Sequence, residues 1–151
     1  MHEHFMREAL KEAEKAFEKK EIPIGAIIVK DDRIIGRGHN LRETSKDPTA
    51  HAEIIAIKEA AKELDGWRLI GCKMYVTVEP CPMCAGAIIL SRIPEVYIGT
   101  MDTKGGAAGS VMNILEEKKF NHKVEVHKGV LQEECNEIIT SFFKKLREEE
   151  K

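Results

Sequence analysis

The segment Met74-Tyr75-Val76-Thr77-Val78, continued by Glu79-Pro80 and then by Cys81-Pro82-Met83-Cys84-Ala85-Gly86-Ala87-Ile88-Ile89-Leu90-Ser91, decides the fold class. Its first five residues have strand character, and a helix is expected to begin near Cys81 and run to Ser91. A further strand follows from Val96 to Gly99. Strands alternating with a helix of this length imply at least partly parallel pairing through right-handed crossovers.

Working outward, Phe5, Met6, Ala9, Leu10, Ala13, Ala16 and Phe17 recur at helical spacing with Glu and Lys between them, which predicts an amphipathic first helix. Ile24 to Val29 and Ile34 to Gly38 are apolar runs separated by Lys30, Asp31, Asp32 and Arg33, the pattern of a hairpin. A polar loop is expected from Asn40 to Thr49, then a helix from about Ala50 to Leu64 with Asp47 or Thr49 as its cap. Gly105, Gly106 and Gly109 suggest a flexible loop, Val124 to His127 a fifth strand, and Gln132 to Glu149 a strongly patterned last helix. The architecture expected is α/β, a three-layer α/β/α sandwich around a mixed five-stranded sheet.

A chain of 151 residues suits one compact domain, taken as residues 1–151. The charged share of 33% fits a well-solvated exterior, and apolar stretches such as Ala26 to Val29 are far too short to span a bilayer. The first twenty residues lack the uninterrupted apolar segment of a secretory signal, so a cytoplasmic location is expected. A net charge of −2 gives no global signature of nucleic-acid binding, and any such contact has to use a local basic patch. The four cysteines are too few for a disulfide scaffold, and the Cys81-x-x-Cys84 pair points to metal or redox chemistry.

The triplet His51-Ala52-Glu53 and the segment Pro80 to Cys84 each stand at the start of an expected helix. This H-x-E and P-C-x-x-C combination is the known signature of the zinc-dependent nucleobase deaminases, so the assignment comes from that match and not from spacing alone. The spacing is nevertheless chemically sensible. Cysteines three apart in a first helical turn present both sulfurs on one side, and the helix amino terminus favours their thiolates. With His51 they make three protein ligands for one Zn2+ per subunit, one short of a closed structural set, leaving a position for water. Glu53 is the candidate proton acceptor and donor, relaying a water proton to the ring nitrogen and then to departing ammonia. Residues two apart on a regular helix diverge, so His51 is expected to lie in an irregular first turn. Cys72 and Cys135, the remaining cysteines, read as small buried apolar residues.

The runs Asp47 to Ile54, Tyr75 to Ala87 and Asp102 to Ser110 resemble the bacterial tRNA adenosine deaminases, and the similarity extends over nearly the whole chain. That resemblance implies conversion of adenosine to inosine at the wobble position of an arginine tRNA, by a homodimer that engages the anticodon loop. By position, it implies that Asn40 contacts the flipped nucleotide and that Asp102 and Lys104 touch the RNA beside it. Phe142 and Phe143 precede Lys144, Lys145 and Arg147, placing stacking surfaces beside positive charge. Neighbouring helical residues diverge by about 100°, so at most one phenylalanine is expected to stack while the other packs inward, and the competing reading puts both in the core. Asn40 also reads as a capping or turn residue. The competing readings are a deaminase of a free base or nucleoside, a noncatalytic RNA-binding subunit, and a structural zinc module. Ile88, Ile89 and Leu90 are open to either core or interface.

Overall fold

The computed structural model describes residues 1–150, and Lys151, the last residue of the expected domain, lies outside them. Five helices and five strands follow in the order α1 (His2–Glu18), β1 (Gly25–Lys30), β2 (Arg33–His39), α2 (Arg42–Ser45), α3 (Ala52–Leu64), β3 (Lys73–Val78), α4 (Pro82–Leu90), β4 (Glu95–Thr100), β5 (Glu125–Lys128) and α5 (Gln132–Glu149). The sheet order is β2-β1-β3-β4-β5. β1 is antiparallel to both neighbours, whereas β3, β4 and β5 run parallel. The mixed sheet is therefore as expected, and Asp31 and Asp32, both at positive φ, make the tight β1–β2 turn.

Alternation along the strands builds the three layers. Ala26, Ile28, Met74, Val76, Val96 and Ile98 face the core shared with α3 and α4. Their neighbours Ile27, Val29, Tyr75 and Tyr97 face α1 and the start of α5, against Phe5, Met6, Ala9 and Cys135. A period of two in the strands thus separates two apolar cores, one on each side of the sheet. Cys72 and Cys135 are fully buried, as expected for small apolar residues.

Two local expectations need correction. The polar loop after β2 contains the short helix α2, because the Glu21 carboxylate accepts hydrogen bonds from the backbone N–H groups of Glu43 (3.2 Å) and Thr44 (2.6 Å) at its first turn. Neither Asp47 nor Thr49 caps α3. Asp47 folds onto Thr49, taking its N–H and hydroxyl at 2.8 and 2.7 Å, while His51 occupies the capping position.

Glu12 joins α1 to the edge of the sheet. It is 3% exposed and contacts Lys15 (2.8 Å), His39 Nδ1 (3.1 Å) and Arg37 (3.5 Å). Lys19 approaches His39 Nε2 at 2.9 Å, so the ring's proton belongs on Nδ1, where it is donated to Glu12. Burial alone would raise the carboxyl pKa, but these partners hold it at about 2, below the ordinary 4.5. A lowered folded-state value means that ionised Glu12 contributes stability above about pH 4.5 and that this is lost as pH falls towards 2. Glu12→Gln should cost about 1–3 kcal/mol at neutral pH in urea unfolding. The gap to the parent should shrink in acid; a gap independent of pH would assign the loss to shape instead of charge.

Candidate active site

The sequence places a metal-binding turn at each of two helix amino termini, and the fold brings these together beyond the carboxyl ends of β3 and β4. α3 reaches this place because it lies almost against β2. Gly36 and Gly38 face Ala52, Ala56 and Ala60, and a Cβ at Gly38 would overlap the Ala52 carbonyl. His51, just before α3, has extended backbone (φ −82°, ψ 153°), and Asn40 Oδ1 accepts the Ala52 N–H at 2.9 Å. The helix therefore begins one residue after His51. This is the irregularity that lets His51 and Glu53 turn to the same cavity despite being two apart.

α4 follows directly from β3. Cys81 is its extended N-cap residue (φ −76°, ψ 173°), Pro82 opens the helix, and Cys84 lies one turn in. His51 Nδ1 lies 3.5 Å from Cys81 Sγ and 3.6 Å from Cys84 Sγ. A tetrahedral ion with Zn–S near 2.3 Å and Zn–N near 2.05 Å would separate such donors by about 3.6 Å, so the triangle fits that ion. Among the described residues no fourth His, Cys, Asp or Glu joins the group. Cys72 and Cys135 lie elsewhere in the two cores. A structural module with four protein ligands is therefore not what these residues form.

Charge is distributed to match. The Cys84 thiol, together with the backbone N–H groups of Cys84 and Met83 at the start of α4, pulls the Cys81 thiol well below its ordinary range. Cys84 is pushed up by that same sulfur, by burial and by Glu53. A divalent cation is bound by the thiolate forms of such a pair. Glu53, 4% exposed, is raised to about 7 first by burial and further by the Cys81 charge, against partial relief from its own backbone N–H and Cys84. A carboxyl group near 7 can both take and give a proton at neutral pH.

The cavity over this centre has a volume of about 530 Å³, large enough for a nucleoside. Asn40, His51, Glu53 and Cys81 line its depth, and Asp102, Lys104 and Phe143 line its outer wall. Asn40 is 4% exposed; it caps α3 through Oδ1, as one reading of it expected, and borders the cavity. The Asp102 carboxylate turns back to its own loop, accepting the N–H groups of Lys104 (3.0 Å) and Gly105 (3.2 Å). The two phenylalanines lie in different environments. Phe143 is 37% exposed and faces the cavity, whereas Phe142 is buried against Phe17, edge to face at 5.6 Å.

Two residues escaped the sequence reading. Arg42, two positions after Asn40, lines the rim. Glu79 is buried and also lines the cavity, and its carboxylate binds the loop expected to be flexible through Asp102 N, Ala108 N, Ser110 N and Ser110 Oγ. An acid closing an apolar strand immediately ahead of the cysteine pair was the available signal.

This sheet, with a His-Cys-Cys triangle that could hold a metal ion beside a buried glutamate, has the architecture of a hydrolytic deaminase. The family model of the MafB19-like deaminases matches residues 1–147. The tRNA-specific adenosine deaminase of Bacillus subtilis (strain 168) is 54% identical over 149 residues, covering 99% of this chain and 92% of that protein. Its counterpart from Aquifex aeolicus (strain VF5) is 52% identical over 145 residues, 96% of this chain and 95% of that one. A solved structure from work on A-to-I editing by tRNA:A34 deaminases at the wobble position superposes with a TM-score of 0.86 at 44% identity, over 89% of this chain and 98% of that chain. The chain belongs to the tRNA-specific adenosine deaminase family.

Cobalt(II) added to metal-free protein should produce a near-ultraviolet thiolate charge-transfer band that saturates at one equivalent. Cys84→Ala should weaken or abolish it; an undiminished band would remove Cys84 from the ligand set.

Proposed function

We propose that this protein hydrolyses adenosine to inosine at the first anticodon position of tRNA, with an arginine tRNA as substrate. The carrying observation is the three-donor triangle with Glu53 buried beside it at the end of a nucleoside-sized cavity. His51, Cys81 and Cys84 would hold Zn2+, which supplies a Lewis acid able to lower the pKa of water. Asn40 orients the base that enters the cavity, and the low-dielectric depth excludes bulk solvent from it. Glu53 takes a proton from the attacking water, gives one to the ring nitrogen and assists departure of ammonia. Burial raises Glu53 above the ordinary carboxylate range, which favours one carboxyl group both taking and giving the proton.

The anticodon loop meets the outer wall. Arg42 and Lys104 supply positive charge at the rim, and Phe143 offers a face on which a neighbouring base stacks. A homodimer is supported by apolar side chains left outside: Met83 and Leu90 are 37% and 69% exposed and seven apart on α4, with Val111 and Met112 also exposed. Ile88 and Ile89, by contrast, belong to the core. A cytoplasmic location is supported by four free cysteines. Among the described residues, no helix is long and apolar enough to cross a membrane.

Purified protein incubated with an arginine tRNA bearing a wobble adenosine should release ammonia and yield inosine at that position, while free adenosine, guanine and cytidine should be poor substrates. Efficient turnover of a free base would overturn the tRNA assignment in favour of a nucleobase enzyme. Glu53→Ala should keep one zinc per chain and lose turnover; parental rates in that variant would end its role in proton transfer.

The phenylalanine pair gives a separate check. Phe143→Ala should weaken tRNA binding by about 1–3 kcal/mol with stability nearly unchanged. Phe142→Ala should instead lower the folding free energy by about 3 kcal/mol. Equal effects on binding and stability from the two variants would refute this division.

A further inference from the structure

We infer that Glu79 is a positioning residue for tRNA, acting through the loop 102–110, which it templates into the outer wall of the cavity. The inference rests on the reading that this wall meets RNA.

Glu79 ends β3 and is 3% exposed. Its own N–H donates to the Thr100 carbonyl at 2.8 Å, fixing its backbone to the end of β4. Its carboxylate faces four donors of the following loop: Oε1 accepts from Asp102 N (2.9 Å) and from the Ser110 hydroxyl, and Oε2 accepts from Ala108 N (2.8 Å) and Ser110 N (3.0 Å). Pro80, next in sequence, accepts from Ala107 N at 2.8 Å. Loop 102–110 belongs to no helix or named strand, so these N–H groups have no ladder to enter, and one carboxylate stands in for it.

The fit is close. Gly106 is buried with its Cα against the Glu79 carboxylate, and any Cβ there would overlap it. The loop cannot tighten further, and it cannot relax without exposing donors that have no other partner. Asp102 then folds onto Lys104 N and Gly105 N, presenting Lys104 on a fixed turn at the rim. Cys81 follows Glu79 by two residues. The six residues from Glu79 to Cys84 therefore set both the metal-binding turn and the wall, and fix the distance between the reaction centre and the surface that receives the flanking nucleotides. With all four carboxylate hydrogen bonds directed into the loop, Glu79 acts through that wall and not on the reacting atoms.

Glu79→Gln keeps the size of the side chain but replaces one acceptor oxygen with a donor, leaving part of the set unpaired. On an anticodon stem-loop with a wobble adenosine, assayed well below the unfolding temperature, the variant should show KM raised about tenfold or more with most of the loss carried by KM. Bound zinc should remain at one per chain. Trypsin cleavage after Lys104 should accelerate at least in parallel. Gly106→Ala should change both readouts in the same direction with the carboxylate intact, and Ser110→Ala, which removes only the hydroxyl donor, should do so more weakly. Ser110→Ala and Gly106→Ala decide the matter should Glu79→Gln not fold. Unchanged KM and unchanged Lys104 cleavage would overturn the inference, as would a loss confined to kcat with zinc released. Were the parent inactive on the stem-loop, the functional reading would fail, while the cleavage comparison would still decide whether Glu79 orders the loop.

Discussion

The active centre depends on how closely α3 can approach the backbone of β2. Gly36 and Gly38 present no side chains to the alanine face formed by Ala52, Ala56 and Ala60, so helix and strand lie nearly in van der Waals contact. That contact sets the height of the first turn of α3, and His51 is the residue immediately before it. The cysteines arrive independently, because β3 leads through Pro80 straight into the cap of α4. Their sulfurs lie 3.5 and 3.6 Å from His51 Nδ1. The packing of small residues on α3 and the direct passage from β3 into α4 thus place the three donors against one another.

Legibility of the fold tracked the range of the interactions that create each part. The long last helix was readable to its bounds because its apolar pattern is local, and the strands because alternation is local too. The start of α3 was not. Its cap hydrogen bond comes from Asn40, twelve positions upstream of Ala52 and across a polar loop, while Asp47 and Thr49, which have the right chemistry nearby, satisfy each other. The helix α2 was missed for a related reason, since the acid at its amino terminus is Glu21, more than twenty residues earlier.

The site residues show the same division. His51, Glu53, Cys81 and Cys84 could be named from short motifs, yet the reason His51 and Glu53 reach one cavity lay in the position of the helix boundary. Phe142 and Phe143 could be assigned different environments by helical geometry, but which packs inward was settled only by Phe17 on α1. Glu79 carried no motif at all. Its partners are spread from Asp102 to Ser110, so its place at the end of an apolar strand hinted at burial without showing what the acid binds.

Three buried glutamates around this cavity demonstrate that burial by itself does not set protonation. Glu21, Glu53 and Glu79 are each under 5% exposed, and desolvation heads the causes acting on all three, pushing each upward. Glu21 and Glu79 nevertheless end below the ordinary carboxylate range, because Thr44 and Glu43 donate to one while Ser110, Asp102 and Ala108 donate to the other. Glu53 has weaker compensation and faces a thiolate, so it ends near 7. Its backbone is in the first turn of α3, where the N–H of Ala52 is already taken by Asn40. A polar side chain elsewhere in the cavity could have ionised Glu53 fully and removed its capacity to give a proton. The fold instead supplies donors to the two acids that hold structure and withholds them from the one beside the metal ligands. The same side chain thereby becomes a fixed anion in two places and a proton carrier in the third.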